Sequence, residues 1–408
     1  MVEVKKGYKI TELGVIPEDW EVKELDEIAN YTKGYPFKSN DYKPNGVRII
    51  RVSDTNADSI KNENEIYISF EEVNQYKKWS LREKDIIITT VGSKPPMYES
   101  LVGKSILVDS KNVGNLLNQN AIYIRTKNNS LDLQVLINKN LKKKDYICYI
   151  EKIIRGNANQ ASITVGDFMK YKIPVPKSEP EQQAIAQALS DTDSLISSLE
   201  KLIDKKKNIK QGTMQELLTG RKRVEGFSGE WEEKRLGDLF EITAGGDLDL
   251  HNFSKEKIGE YKYPVYSNAI NFKGLYGYSN LYTLDLECVT VTARGTLGNA
   301  NARTGKFLPI GRILVLNPLT KLDVYFFQEF INSRIKFPNE STGVPQLTAP
   351  QIRKILVKSP LLEEQQAIAN ILSDMYKEIE ALEQKLDKYK AIKEGMMQEL
   401  LTGRIRLV

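Results

Sequence analysis

Imidazole chemistry is nearly absent from this 408-residue chain, whose one histidine is His251. That scarcity excludes His-based triads and histidine-bearing zinc clusters, and it leaves carboxylates or a partner's groups for any reaction. We expect no metal site. Cysteine is almost as rare. Cys148 and Cys288 lie far apart inside apolar or strand-like runs, which points to two buried thiols and away from a disulfide. No apolar run approaches the ~20 residues that a membrane-spanning helix needs. Residues 1–30 carry Glu12, Glu18 and Asp19 and lack an apolar signal core, so the reading is a cytoplasmic protein without a membrane partner. Phosphate-binding loops are missing too: Gly103, Lys104 and Ser105 lack the upstream glycine of a P-loop, and Gly305 and Lys306 are followed by Phe307.

What is present is repetition. Glu181 to Arg223 aligns without a gap on Glu364 to Arg406, an offset of 183, with 27 of 43 positions identical. A fainter repeat matches Trp20, Lys23 and Leu25 to Trp231, Lys234 and Leu236, an offset of 211. The chain therefore reads as two halves, and its length suits two globular units with connecting elements. The segments are 1–176, 177–223, 224–360 and 361–408. Joining the C-terminus to the N-terminus would recreate the central connection LLTGRKRVEGFSGEW, so the molecule reads as a circle cut once, with its ends close together.

Both repeat copies read as long helices. The second places Ile368, Leu372, Met375, Ile379, Leu382, Leu386 and Tyr389 at alternating spacings of four and three, the seam of a coiled coil. The first keeps this register at Ile185, Leu189, Thr192, Ile196, Leu199 and Ile203, then meets Lys206, where the seam weakens. Ser178 to Glu181 fits a capping box with Pro180 in the first turn, while Gly220 and Gly403 mark the stops. From Pro180 to Leu218 such a helix is about 57 Å long at ~1.5 Å per residue. Neither helix can bury its stripe alone, so the copies should pair, and an antiparallel arrangement gives a pseudo-two-fold axis.

The inserts, roughly 20–176 and 231–360, differ in sequence yet share an order of elements. Each has a strand ending in a glycine turn (Asp85 to Gly92; Cys288 to Gly295) and a second strand (Ala121 to Arg125; Arg312 to Leu316). A helix follows, near Leu131 to Leu141 or Leu322 to Ile331. The fold class is α+β: two mixed domains of one fold joined by two long helices.

Net charge is only +5, but lysine clusters at Lys142 to Lys144 and Lys205 to Lys207, compatible with nucleic acid or with a solvated basic face. Most candidate DNA contacts fall in four places. Near the end of insert one, Arg155, Gly156, Asn157, Ala158, Asn159, Gln160 and Thr164 form a polar loop; Gly343, Pro345, Gln346 and Thr348 do so in insert two. Their amides match adenine edges, although an ordinary turn explains them as well. Lys33, Tyr35, Lys38 and Ser39, with Phe37, Arg48 and Arg51, combine cations and aromatics suited to phosphate. Insert two offers Tyr266, Ser267 and Asn268 and the run Thr292, Ala293, Arg294, Gly295, Thr296, Leu297 and Gly298, in which small residues let backbone approach a phosphate. Core tyrosines and a tight hairpin explain these equally. Lys94 and Arg303 complete the set.

The combination resembles the specificity subunit of type I restriction-modification systems. EQQAIA at 181 and 364, MQELLTGR at 214 and 397, PEDW at 17 and GEW at 229 carry the resemblance, and the domain order covers essentially the whole chain. It implies two target recognition domains, each reading one half of a split sequence in double-stranded DNA, and an intramolecular antiparallel coiled coil that sets the spacer. It also implies two docked methyltransferase subunits and two restriction/translocase subunits. S-adenosylmethionine, ATP and magnesium would then sit on those partners, with no cofactor here. Consistent with borrowed catalysis, no Asn-Pro-Pro-Tyr or Asp-Pro-Pro-Tyr segment occurs; Pro95 and Pro96 follow Lys94 and precede Met97. Recognition domains vary so widely that no base-reading residue carries over. The rival readings are a fused or stand-alone DNA methyltransferase or endonuclease, and a non-catalytic coiled-coil adaptor.

Overall fold

Short apolar runs buried on both faces build the central sheet of each half. The computed structural model describes residues 5–94, 97, 100–157, 160–337 and 346–407, without the side chains of Asn157 and Gln160. The expectations placed on Pro95, Pro96, Ala158, Asn159, Gly343 and Pro345 lie outside the described residues. Two compact units emerge: residues 1–198 with 386–408, and residues 199–385. In the first, strands Ala29–Lys33, Ala121–Thr126, Ile86–Thr89 and Ser105–Leu107 form an antiparallel sheet in that spatial order. In the second, Phe240–Ala244, Leu314–Pro318, Cys288–Val291 and Ala300–Arg303 repeat it.

Alternation along these strands sends side chains to two cores. Ile86, Ile88, Ile122 and Ile124 pack with Leu133 and Ile137 of helix Leu131–Asn140, whereas Ile87, Ile106 and Tyr123 join Ile50 and Leu117 on the other face. Val289, Val291, Leu314 and Leu316 likewise meet Phe327 and Ile331 of helix Val324–Arg334, while Cys288 and Val315 meet Phe307. The common order of elements holds to within a few residues.

Beyond this shared framework the inserts diverge. Unit one adds a three-stranded sheet (Leu116–Leu117, Val47–Ile50, Ile66–Ile68) and helix Lys144–Ile153; unit two adds a five-stranded sheet around Tyr263–Tyr266. Helix Lys144–Ile153 buries Tyr146 and Ile150, which turns Cys148 outward. Cys148 is thus exposed, not buried as its apolar neighbours suggested, because one face alone of this amphipathic helix meets the core. Cys288 is buried, and burial pushes its thiol up to about 12.

In unit two the outer strand Ala300–Arg303 has helix side chains where a fifth strand would lie. Asn332 accepts from the Ala300 amide (2.8 Å) and donates to its carbonyl (2.9 Å), and Gln328 accepts from Ala302 (2.8 Å). This occupies an edge that would otherwise present unpaired groups.

Two 39-residue helices, Glu179–Leu217 and Leu362–Leu400, contribute a part to each unit. In unit one, Ile185 and Leu189 pack with Leu400 and Leu401, Thr192 meets Met396, and Lys393 pairs with Asp193 at 2.7 Å. In unit two, Leu217 and Leu218 pack with Ile368 and Leu372, and Lys206 pairs with Glu378 at 2.6 Å. Numbers rise on one helix as they fall on the other, so the pairing is antiparallel. Of the seam, Ile185, Leu189, Ile196, Leu199, Ile203, Ile368, Leu372 and Ile379 are buried, and Met375, Leu382 and Leu386 are partly buried. Where Lys206 interrupts it, charge takes over: Lys207 pairs with Glu383 at 2.6 Å and Lys210 lies over the Tyr376 ring.

The expected capping box is half made. Ser178 accepts from the Glu181 amide at 3.4 Å, but the Glu181 carboxylate turns away to accept from Trp20 Nε1 (3.1 Å) and bind Arg406. Arg406 also takes Asp19 at 2.8 and 3.0 Å, and Tyr8 donates to the Gly403 carbonyl at 3.0 Å, so the chain's two ends meet as expected. In unit two Arg223 binds Glu364 through two contacts, 2.6 and 2.7 Å, beside Trp231. Each clasp joins the start of one repeat copy to the end of the other. Arg406 is held protonated more firmly than usual by Glu181 and then Asp19, and its hydrogen bond holds the Asp19 carboxyl below the usual range.

Two outcomes follow from this architecture. Arg406→Met leaves the fully buried Glu181 carboxylate without its countercharge and should cost about 3 kcal/mol by denaturant titration. Arg404→Met, at an exposed pair, should cost under about 1 kcal/mol. Adding Glu181→Gln to Arg406→Met should recover part of the loss, since a neutral amide still accepts from Trp20. Native protein at pH 8 should react with a thiol reagent once per chain, at Cys148, and Cys148→Ser should abolish that reaction until the chain is unfolded.

Candidate nucleic-acid interface

Each central sheet ends in a cluster of turns that brings separate candidate segments together. In unit one the strand Ala29–Lys33 runs out through Gly34, whose amide donates to the Ala121 carbonyl at 2.9 Å; Gln119 donates to Tyr35 at 3.0 Å. Next to this, Thr90 donates to Asn120 (2.8 Å) and accepts from Ile163 (3.1 Å), and Val91 and Gly92 pair with Ser162 and Ala161. The hairpin of Arg155–Asn157 and Gln160–Ser162 thereby docks on the glycine turn.

Unit two repeats the arrangement with other residues. Gly245 donates to Ile313 at 2.7 Å, Leu347 donates to Ala293 at 2.9 Å, and Arg294 bridges Gln346. Directly after each docked segment a threonine starts a short helix: Thr164 accepts from Asp167 at 3.1 Å, and Thr348 forms a capping box with Gln351. Gly34 and Gly245 correspond through the offset of 211. A Cβ on Gly34 would lie 1.9 Å from the Asn118 carbonyl oxygen, and on Gly245 2.8 Å from Pro309 backbone, so each strand exits by a close backbone approach.

Around these turns the candidate side chains divide by environment. Lys33, Lys38, Ser39, Arg155, Arg294, Thr296, Gln346 and Thr348 are exposed, and Lys94 is partly so. Arg155 pairs with Asp167 at 2.8 Å while staying largely in solvent. Asn157 and Gln160 are placed by their backbones. The aromatic part of the Lys33 to Ser39 segment serves the core: Tyr35 and Phe37 join Tyr76 and Trp79, with ring centres 4.5 to 5.0 Å from Tyr35. Its cations remain outside.

Several candidates are committed within the fold. Arg48 is buried, donating to Asn62 (2.9 Å) and the Lys61 carbonyl and pairing with Glu65 at 3.1 Å; Arg51 pairs with Asp54 at 2.8 Å. Arg303 is buried over the Tyr266 ring at 3.6 Å, donating to Thr290 and the Lys273 carbonyl. Asn268 donates to the Gly311 carbonyl (2.5 Å) and accepts from the Ala293 amide (2.7 Å), stitching two turns together. Ser267 accepts from Ala269. The Thr292 to Gly298 turn closes on itself, with Thr292 donating to Thr296 and accepting from Asn299, which lifts Arg294 and Thr296 outward.

Sequence reading missed Lys78 and Trp79. With Tyr31, Lys33 and Tyr35 they line a shallow cavity of about 360 Å³ at the same sheet end. The run Lys77, Lys78, Trp79 was its available signal, two cations beside an aromatic. Among the described residues no group of His, Cys, Asp and Glu is placed to hold a metal, and no helix is long and apolar enough to cross a membrane.

Comparison with known proteins sets this geometry in context. The family model described as type I restriction modification DNA specificity domain matches residues 17–211 and again 228–391. The "Putative type I restriction enzyme MjaX specificity subunit" of Methanocaldococcus jannaschii is 29% identical over 430 residues, covering 99% of this chain and 97% of that relative. The type I restriction enzyme MjaVIII specificity subunit of the same organism is 24% identical, covering 96% and 94%. In fold, the crystal structure of a type I restriction-modification system S subunit from M. genitalium matches with a TM-score of 0.64 at 18% identity, covering 96% and 97%.

The glycine exits provide a test of the sheet end. Gly245→Ala should destabilise by about 1–3 kcal/mol, because the added methyl meets backbone that must shift. Gly246→Ala, with nothing within 4 Å of the added carbon, should change stability by less than about 0.5 kcal/mol. Equal midpoints for the two variants in thermal unfolding would contradict the close approach.

Proposed function

This chain belongs to the type I restriction-modification DNA specificity family, and we propose that each of its units reads one half of a two-part target in double-stranded DNA through the turn cluster at its sheet end. The supporting observation is that two sequences so unlike one another present the same docked polar loop, glycine turn and capped short helix at equivalent ends of equivalent sheets. Lys33, Lys38, Lys78 and Lys94 in unit one suit phosphate, which fixes register without reading sequence. Arg155 in unit one, and Arg294 and Gln346 in unit two, carry the donor pairs and amide that suit guanine and adenine edges in the major groove.

The antiparallel helices act in this reading as a ruler that sets the unread spacer, on the scale of one duplex turn, ~34 Å. Their flanks dock two methyltransferase subunits, and two restriction/translocase subunits complete the nuclease. Catalysis, with S-adenosylmethionine, ATP and magnesium, then resides on those partners, while this chain supplies the address.

Mapping methylated bases genome-wide with and without this chain should reveal a two-part motif that disappears with it. Exchanging residues 20–176 for another insert should change one half of that motif and leave the other. In complexes assembled with the methyltransferase, Arg294→Ala should weaken binding by about 1–3 kcal/mol and relax one base position. Lys33→Ala should instead weaken all sequences alike and flatten the salt dependence. A motif unaltered by the insert exchange would overturn the division of labour.

A further inference from the structure

Each insert meets the long helices through its own helix, and the two meetings carry opposite charge. Helices Leu131–Asn140 and Val324–Arg334 start from equivalent caps, Ser130 and Asp323. The first buries Lys139, which is 5% exposed, against Asp193; Lys393 binds the same carboxylate at 2.7 Å. The second buries Glu329, 6% exposed, where it accepts from the Tyr376 hydroxyl at 3.0 Å and from Gln328 at 2.7 Å, with Lys210 over the tyrosine ring at 3.8 Å. By the repeat offset of 183, Asp193 corresponds to Tyr376 and Lys393 to Lys210. The scaffold cation is thus kept in both halves. Its neighbour changes from carboxylate to phenol, and the insert's buried group changes from cation to anion.

From this we infer that the two junctions form a positional lock that admits each insert at its own place in the scaffold. Moved to the second position, insert one brings Lys139 to Tyr376 and Lys210, a buried cation beside another cation without the carboxylate that Asp193 supplies; Glu383 there is paired with Lys207, and the insert's own Asp58 with Lys142. Moved to the first, insert two brings Glu329 to Asp193, two carboxylates sharing one lysine. A buried charge that loses its partner destabilises strongly. Lys139 and Glu329 sit about one turn apart on their helices, but the extra reach of tyrosine over aspartate brings both to the corresponding scaffold position. The lock does not depend on DNA. If the units read DNA as proposed, it fixes which half-site belongs to which end of the chain.

The test uses full-length chains and thermal unfolding, which is independent of DNA reading. A chain carrying insert one at both positions should melt lower than wild type by on the order of 10 °C. Tyr376→Asp in that chain should recover most of the loss. In the unaltered chain the same Tyr376→Asp should act with the opposite sign, since it sets a carboxylate against Glu329, and should cost far more than Tyr376→Phe. If the duplicated chain does not fold, the comparison of Tyr376→Asp with Tyr376→Phe in the unaltered chain decides alone. A duplicated chain as stable as wild type, no recovery with Tyr376→Asp, or equal effects of Asp and Phe in the unaltered chain would each overturn the lock.

Discussion

A carboxylate at the first turn of each long helix, gripped by an arginine just past the end of the other, is the interaction on which the fold depends. Glu181 is sealed from solvent and Glu364 nearly so, so loss of Arg406 or Arg223 would leave a buried charge without its partner. A buried pair of this kind contributes little net stability compared with apolar packing, but losing one member is expensive, and so it fixes geometry. The N-terminal placement of each carboxylate suits the helix dipole as well. Since each pair spans the two repeat copies, neither copy can complete its unit without the other.

That reciprocity explains why so much was legible in the repeat. Helix existence, extent and pairing follow from a stripe that a single helix cannot bury, and the antiparallel sense from a pseudo-two-fold relation of the halves; Ile185, Leu189, Ile196, Leu199 and Ile203 with Ile368, Leu372 and Ile379 are buried accordingly. Central strands were legible because runs such as Ile86 to Ile88 face a core on both sides. The clasp itself escaped notice although its signal was present: Glu and Arg stand at the two ends of a repeat 43 residues long, with opposite charges preserved in both copies. Glu181 fitted a local capping box equally well, and local patterns do not reveal a partner 225 residues away.

The turn clusters were less legible, for a chemical reason. Arg48, Arg303 and Asn268 have the same donors and acceptors whether they hold a loop together or read a ligand, and spacing does not distinguish the two uses. The faint repeat could have carried further: extended from Trp20 and Trp231, its offset reaches Gly34 and Gly245, the residues that let each strand leave its sheet. Cys148 shows the converse error. Its neighbours are apolar, but the helical period turns it away from Tyr146 and Ile150.

The split of the chain also sets an order of events at the ribosome. Unit two is one unbroken stretch, residues 199–385, and its arginine and carboxylate have both been made before residue 386. Unit one needs residues 386–408, among them Arg406, the partner of Glu181. Domains ordinarily mature from the N-terminus onward as the chain grows. Here the earliest-made half must wait for residues 386–408, so a message truncated just before them yields a finished second unit tethered to an unfinished first.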